Sequence, residues 1–322
     1  MCKEKQTWIP FLCLIVLLSA CNSKQHPEVL VEFQRFDEAV FSKNINELVA
    51  DYPAFTPFYL EKIIKVGQAG DSTTVAYFQE FKNTYKSPIY DSVRVVFRTM
   101  DSVEKQLALA LGNYISYFPN DSIPKLYTHF SGFNESIITN GNIISISLEN
   151  YLGKSNYYDQ LGVYQYLREG MFPNKIPVDI MKMLLFQKVN PTNATDNLLS
   201  TMIYQGKVYY VLKELFPKKS LAFFLNYTPE QELWCEANEA MMWSYLVEHQ
   251  HLFSSDYRTI RSYIDPAPFT KGFPTESPGQ TGVWIGFQIV KDYMDNTQTN
   301  LTELLDNTDY SDILELSAYN PE

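Results

Sequence analysis

Ile137-Ile138-Thr139-Asn140-Gly141-Asn142-Ile143-Ile144 is the stretch whose reading sets the fold class. β-branched residues flank an Asn-Gly pair, the strongest short-range signal for a tight hairpin, because asparagine and glycine accept the left-handed backbone that such turns require. Lys125–Phe133, just upstream, has the same texture, and Glu135–Leu148 carries the hairpin itself. This region therefore reads as a small antiparallel sheet in the middle of the chain.

On either side the pattern is helical. Val29, Phe33, Phe36 and Val40 recur at helical spacing and predict a first helix over Glu28–Phe41. Further helices are expected over Thr56–Val66 (ended by Gly67), Ser72–Tyr85 and Ile89–Tyr117, the last broken near Asp101 and stopped by Pro119. Beyond the sheet they are expected over Val178–Val189, Thr195–Phe216, Pro229–Gln250, Asp256–Ile264, Val283–Met294 and Leu301–Asp306. Thr228-Pro229-Glu230-Gln231 and Asn300-Leu301-Thr302-Glu303 read as capping boxes. The expected fold is α+β, mostly helical.

The N-terminus has its own logic. Lys3 and Lys5 precede an apolar run from Trp8 to Leu18, and a run of about 11 residues falls short of the roughly 20 needed to span a bilayer. Leu18-Ser19-Ala20-Cys21 resembles the lipobox of bacterial lipoproteins. Residues 1–21 then form a signal segment, Cys21 becomes the lipidated N-terminus, and more than one acyl chain anchors the protein outside the cytoplasm. Residues 22–28 form a short tether reaching about 20–25 Å, and 29–322 a single globular domain. Asn22-Ser23-Lys24-Gln25 puts no acid directly after the cysteine, which favours a periplasm-facing protein. With Cys2 and Cys13 removed and Cys21 lipidated, Cys235 has no disulfide partner.

The chain carries 26 basic against 37 acidic side chains. Loss of Lys3, Glu4 and Lys5 with the signal leaves 24 against 36, so the mature protein is acidic and nucleic acid is excluded as a partner on charge. Aromatic residues make up 15% of the sequence, enough to suit stacking on a glycan or peptide and equally an ordinary helical core.

Several groups invite a chemical reading, each beside a structural one. Glu232, Glu236 and Glu239 share a face of one predicted helix, with Asn238 and Trp243 nearby. Such a face suits a cation or acid–base work, or else the helix dipole and solvent. Gly282 and Gly286, around Trp284, cost helix stability and imply the close approach of another backbone or a ligand; tight helix packing explains them equally. The loop through Gly279 is placed to rim a pocket. His249 and His251, two apart, would point about 200° apart on a helix and could not share an ion there. His129 stands alone in a predicted strand, and Cys235 reads as a small core residue. The possible binding face is thus Glu232, Glu236, Asn238, Glu239, Gly279, Gly282, Trp284 and Gly286, with no catalytic residue, metal or cofactor assigned.

Two sets of segments carry a family resemblance. The first comprises Arg35-Phe36-Asp37, Asp51-Tyr52-Pro53 and Tyr117-Phe118-Pro119 with Ile123-Pro124. The second comprises Ile176-Pro177-Val178-Asp179-Ile180-Met181, Gly206-Lys207, Tyr227-Thr228-Pro229-Glu230-Gln231, Glu236-Ala237-Asn238-Glu239 and Pro278-Gly279-Gln280-Thr281-Gly282-Val283-Trp284-Ile285-Gly286. Together they resemble GldB, the gliding motility-associated lipoprotein family of Bacteroidota. The resemblance implies a cell-envelope protein anchored through lipid on Cys21, with protein partners in gliding or secretion machinery. The order of parts also resembles predicted zinc metallopeptidases, which carry His-Glu-x-x-His on the helix after the hairpin. Here that helix reads Pro177-Val178-Asp179-Ile180-Met181-Lys182-Met183-Leu184-Leu185-Phe186-Gln187, without histidine or glutamate. The resemblance then implies a zincin-like scaffold that has lost its metal site.

The function expected from all this is a membrane-anchored, non-catalytic structural or binding component of an envelope machine. The alternatives are a hydrolase or metal-binding enzyme using the Glu232/Glu236/Glu239 face, and a glycan- or peptide-binding lipoprotein.

Overall fold

The computed structural model describes residues 27–322. The expected signal segment, Cys21 and the expected tether up to His26 lie outside the described residues.

The chain enters in irregular backbone and forms a three-residue strand, β1 (Phe33–Arg35), before helix α1 (Phe36–Ser42). This corrects the expected helix over Glu28–Phe41. The apolar spacing of Val29, Phe33, Phe36 and Val40 imitates a helix, yet Phe33 pairs in parallel register with Leu126, far along the chain. Its N–H also donates to Glu104 Oε1 at 3.0 Å. Long-range pairing decides the conformation here, and no local pattern reports it.

A helical layer follows: α2 (Ile45–Asp51), α3 (Thr56–Phe58) opening into a wider π turn at Tyr59–Ile63, α4 (Ser72–Tyr85), α5 (Asp91–Val96) and α6 (Asp101–Tyr117). The expected break near Asp101 falls at Phe97–Met100. Then come β2 (Lys125–His129), β3 (Ile137–Asn140) and β4 (Ile143–Ser147). The sheet order is β1-β2-β4-β3. β1 with β2 and β2 with β4 run parallel, and β3 with β4 alone is antiparallel. The sheet is therefore mixed, where an antiparallel one was expected. A hairpin announces itself locally, whereas a parallel neighbour arrives by a long crossover, here α1 to α6, that leaves no local trace. The hairpin loop is Gly141-Asn142, one residue later than the Asn-Gly signal. Positive φ occurs at Gly141, 56°, and not at Asn142, the pattern of a loop with glycine first.

Alternation along the strands gives the sheet two buried faces. Phe33, Leu126, Ile144 and Ile146 join the large apolar cluster of the C-terminal helices. Tyr127 and Ile143 point the other way, into a smaller cluster with Phe36, Val40, Leu48, Phe55 and Tyr59. The sheet is thus packed between two helical layers.

The second helical layer holds α7 (Asn156–Gln160), α8 (Gln165–Arg168), α9 (Ile176–Lys188), α10 (Leu198–Leu215), α11 (Leu221–Leu225), α12 (Pro229–Glu248), α13 (Tyr257–Ile264), α14 (Thr281–Asn296), α15 (Leu301–Asp306) and α16 (Tyr310–Ser317). Both expected capping boxes are present, Thr228 with Gln231 and Asn300 with Glu303. The centre of this layer is the crossing of α10 and α14. A Cβ placed on Gly286 would lie 1.9 Å from the Met202 carbonyl oxygen, and one on Gly206 would lie 2.2 Å from that of Gly286. Only two bare backbones fit at that distance.

Candidate functional site

The site begins from a buried polar web at the end of the sheet. β4 runs into a tight 3-10 turn, Leu148–Tyr151, which carries Glu149 to the loop between β2 and β3. Glu149 is fully buried. Its Oε1 accepts from the Ser131 N–H at 2.6 Å, the Ser131 hydroxyl at 2.9 Å and the Phe133 N–H at 3.1 Å. Gly132 and Phe133 both take positive φ, 73° and 66°, which wraps the loop's N–H groups around one carboxyl oxygen. Burial pushes the Glu149 carboxyl above its ordinary range, against the pull of these donors. Its Oε2 has no partner.

Beside it His129, also fully buried, meets the Ser145 hydroxyl through Nδ1 at 2.7 Å. Burial pushes the imidazole down to about 3, so it is neutral at physiological pH. Tyr59 donates to the Phe130 carbonyl at 2.7 Å, tying the N-terminal helical layer to the same loop. This web is sealed from solvent and shapes the loop.

The shaped loop forms one wall of a cleft of about 610 Å³, a size typical of ligand sites. Phe133 to Ile137, leading into β3, face Asp179, Lys182, Met183 and Phe186 of α9 across it. Helical spacing puts Asp179 and Lys182 on one face, where they pair at 3.0 Å. Tyr151 donates to the other Asp179 oxygen, also at 3.0 Å. Burial acts to lower the Lys182 ammonium, but Asp179 overrides it and the net shift is upward; the Tyr151 hydroxyl is raised by burial and by the same carboxylate. Lys182 is therefore a fixed cation. Asn150, 5% exposed, adds an amide whose Nδ2 has no partner. β3, at the rim, ends the sheet order, so its outer edge pairs with no strand among the described residues.

The structure scatters the face expected from sequence. Glu239 and Trp284 do meet: the indole N–H donates to Glu239 Oε2 at 3.3 Å, and Tyr319 donates to Oε1 at 2.9 Å. Glu236 is exposed, Glu232 is half-buried, and Asn238 turns back to the Trp234 carbonyl of its own helix at 2.8 Å. Among the described residues no three His, Cys, Asp or Glu side chains are grouped to hold a metal ion. Gly282 abuts Tyr263 and Gly286 abuts Met202, both as packing contacts. Gly279 rims a second cleft beside α12. His249 and His251 fall at and beyond the end of α12, with ring centroids 5.6 Å apart, closer than a continuing helix would place them. Cys235 is buried and free.

Asn150, Tyr151 and the Asp179–Lys182 pair were missed from sequence. The Asp-x-x-Lys spacing was a visible signal, but an i,i+3 pair on a helix is ordinary. What distinguishes this one is the loop opposite.

The molecule is a helix-rich α+β protein with a small mixed sheet and, at the sheet's open edge, a cleft that sets a few polar groups among apolar side chains. A family model for the gliding motility protein GldB matches residues 21–321, nearly the whole chain, and the chain belongs to that family. No curated protein and no solved structure matches it, so the zincin-like scaffold has no support from a known fold. No helix among the described residues is long and apolar enough to cross a membrane.

Proposed function

We propose that this protein is a non-catalytic binding component of the gliding-associated cell-envelope machinery, held to a membrane through lipid on Cys21 and facing the periplasm. Residues 29–322 act as one domain, because both apolar clusters share the same sheet. Its working surface is the cleft between β3 and α9, and its occupant is an extended segment of a partner protein. An open strand edge offers main-chain hydrogen bonds to such a segment, and the adjoining cleft takes its side chains.

The observation that carries this reading is how the cleft's charges are spent. Asp179 is engaged by both Lys182 and Tyr151, while the nearby Glu149 and His129 are sealed from solvent. Such groups hold a surface in shape and can recognise a peptide through Asn150 and the Lys182 ammonium. Among the charged lining residues only Glu135, exposed at the rim, is left without a hydrogen bond or ion pair. Affinity capture from membranes through a C-terminal tag tests the reading, with Met183→Trp filling the cleft and Glu236→Gln as a distant control. Wild type and Glu236→Gln should retain the same partner and Met183→Trp should lose it; capture unchanged by the filled cleft would reject the site.

A further inference from the structure

The second cleft, about 460 Å³, lies between α8, the start of α12 and the loop that enters α14. Its chemistry differs from that of the first. No lysine or arginine lines it, and its one charged side chain is Glu169. Tyr164 and Tyr166 stack with centroids 5.7 Å apart and planes within 13°, and Tyr164 is 68% exposed. They present a flat aromatic face to solvent at the cleft's edge.

Three of the four side-chain amides around it are unspent, Gln231 being held by Thr228. Gln165, Asn226 and Gln280 line the cleft, and their side chains have no hydrogen-bond partner among the described residues. One of the three holds costly backbone: Gln280 has φ of 58°, the left-handed region disfavoured for most side-chain-bearing residues, whereas Asn226, at 60°, is the left-handed cap that ends α11 and suits asparagine. Gln280 occupies the N-cap of α14 and makes no capping bond. The local rules for stability are broken at Gln280, which lines the cleft.

Much of the backbone of the walls, by contrast, is closed. Pro266, Pro268 and Pro278 have no N–H to give. The Gly279 carbonyl accepts from Tyr227 at 2.6 Å, the Pro278 carbonyl from Thr270 at 2.8 Å, and the Thr228 N–H is held by Gln231. Ala267, between two prolines, keeps its N–H and carbonyl unpaired among the described residues and is the one donor on the wall that Pro266 and Pro268 form, too short a stretch to pair with an extended peptide. A ligand must be met by side chains that both donate and accept, beside a flat aromatic face.

Those are the requirements of a sugar, whose hydroxyls both donate and accept and whose C–H face lies on an aromatic ring. We infer that this cleft is a binding site for a neutral oligosaccharide. The inference goes beyond the partner-binding reading and shares only Leu167 with the first cleft, none of the residues it argues from, so either can fail alone.

Calorimetric titration of the purified chain with neutral hexaoses of glucose (β-1,3-, β-1,4- and α-1,4-linked) and of N-acetylglucosamine tests it, with a hexaproline peptide as the competing ligand class. At least one hexaose should bind with a Kd below about 1 mM. Tyr164→Ala, at an exposed position, should weaken that binding by about tenfold or more. Gln280→Gly, which suits the left-handed backbone and removes the amide, should weaken binding while raising the melting temperature. No binding by any hexaose, binding indifferent to both variants, or hexaproline bound in preference would each overturn the inference.

Discussion

Glu149 and His129 show how much a single buried group can decide. Removing the Glu149 carboxyl strands the Ser131 and Phe133 N–H groups in a dry interior, and each orphaned donor costs about 1–3 kcal/mol. Glu149→Ala is therefore expected to lose about 3 kcal/mol or more in denaturant unfolding. Glu149→Gln keeps an acceptor at Oε1 and should lose much less; equal losses would show that the bonds to Oε1 do not hold the loop. His129 makes a prediction with pH. Its folded value is pushed down to about 3, while an unfolded histidine titrates near 6.5. Between these values the unfolded chain binds the extra proton, so stability falls as pH falls from 6.5, by up to about 1.4 kcal/mol per unit. Glu149, shifted upward, acts in the opposite sense above its ordinary value, so the difference between wild type and His129→Gln isolates the histidine. Unfolding free energies from pH 7 to pH 4 should show a steeper acid loss in wild type; parallel curves would refute it. In sequence, His129 stands alone in a predicted strand with no partner to make it a ligand, and it proves to be a packed residue, but nothing marked Glu149. A glutamate after an apolar strand looks like any surface turn until the loop that wraps it is seen.

At the scale of elements, legibility followed the range of the forces involved. Both capping boxes were readable because a cap is made by residues three apart. The hairpin was readable to within one residue. β1 was read as helix, and the parallel pairings were not foreseen, since their partners lie far along the chain. The glycines show a partial success. Gly282 and Gly286 were read as marks of close approach, and the structure supplies it. Gly206 was quoted for family likeness alone, yet it packs against Gly286 at the crossing of α10 and α14. Gly286→Ala gains about 1 kcal/mol in helix propensity but drives a methyl group into the Met202 carbonyl, an overpacking cost of about 3 kcal/mol or more. A net destabilisation is expected in thermal unfolding, and a neutral or stabilised variant would mean that the two helices cross less tightly. Met183, which a continuous helical core would bury, is half-buried in the cleft, and Met181 takes the core position.

At the scale of the whole molecule, the family was legible in sequence over nearly all of the matched length, while the working surface was not. The cleft gathers residues from the loop before β3, the turn after β4, the segment through α8, and α9, four segments that no spacing rule relates. The expected Glu232/Glu236/Glu239 face, compact on a helical wheel, divides among solvent, a half-buried position and the bonds from Trp284 and Tyr319. The central claim is that the open edge of β3 receives a partner protein. Photo-cross-linking in gliding cells tests it most directly, with a benzophenone amino acid at Thr139 in β3 and, as a control, at Leu316 on the exposed side of α16. The account predicts a discrete protein adduct from position 139, lost when Met183→Trp fills the cleft, and none of that size from position 316. Cells that glide normally while position 139 yields no protein adduct would contradict it.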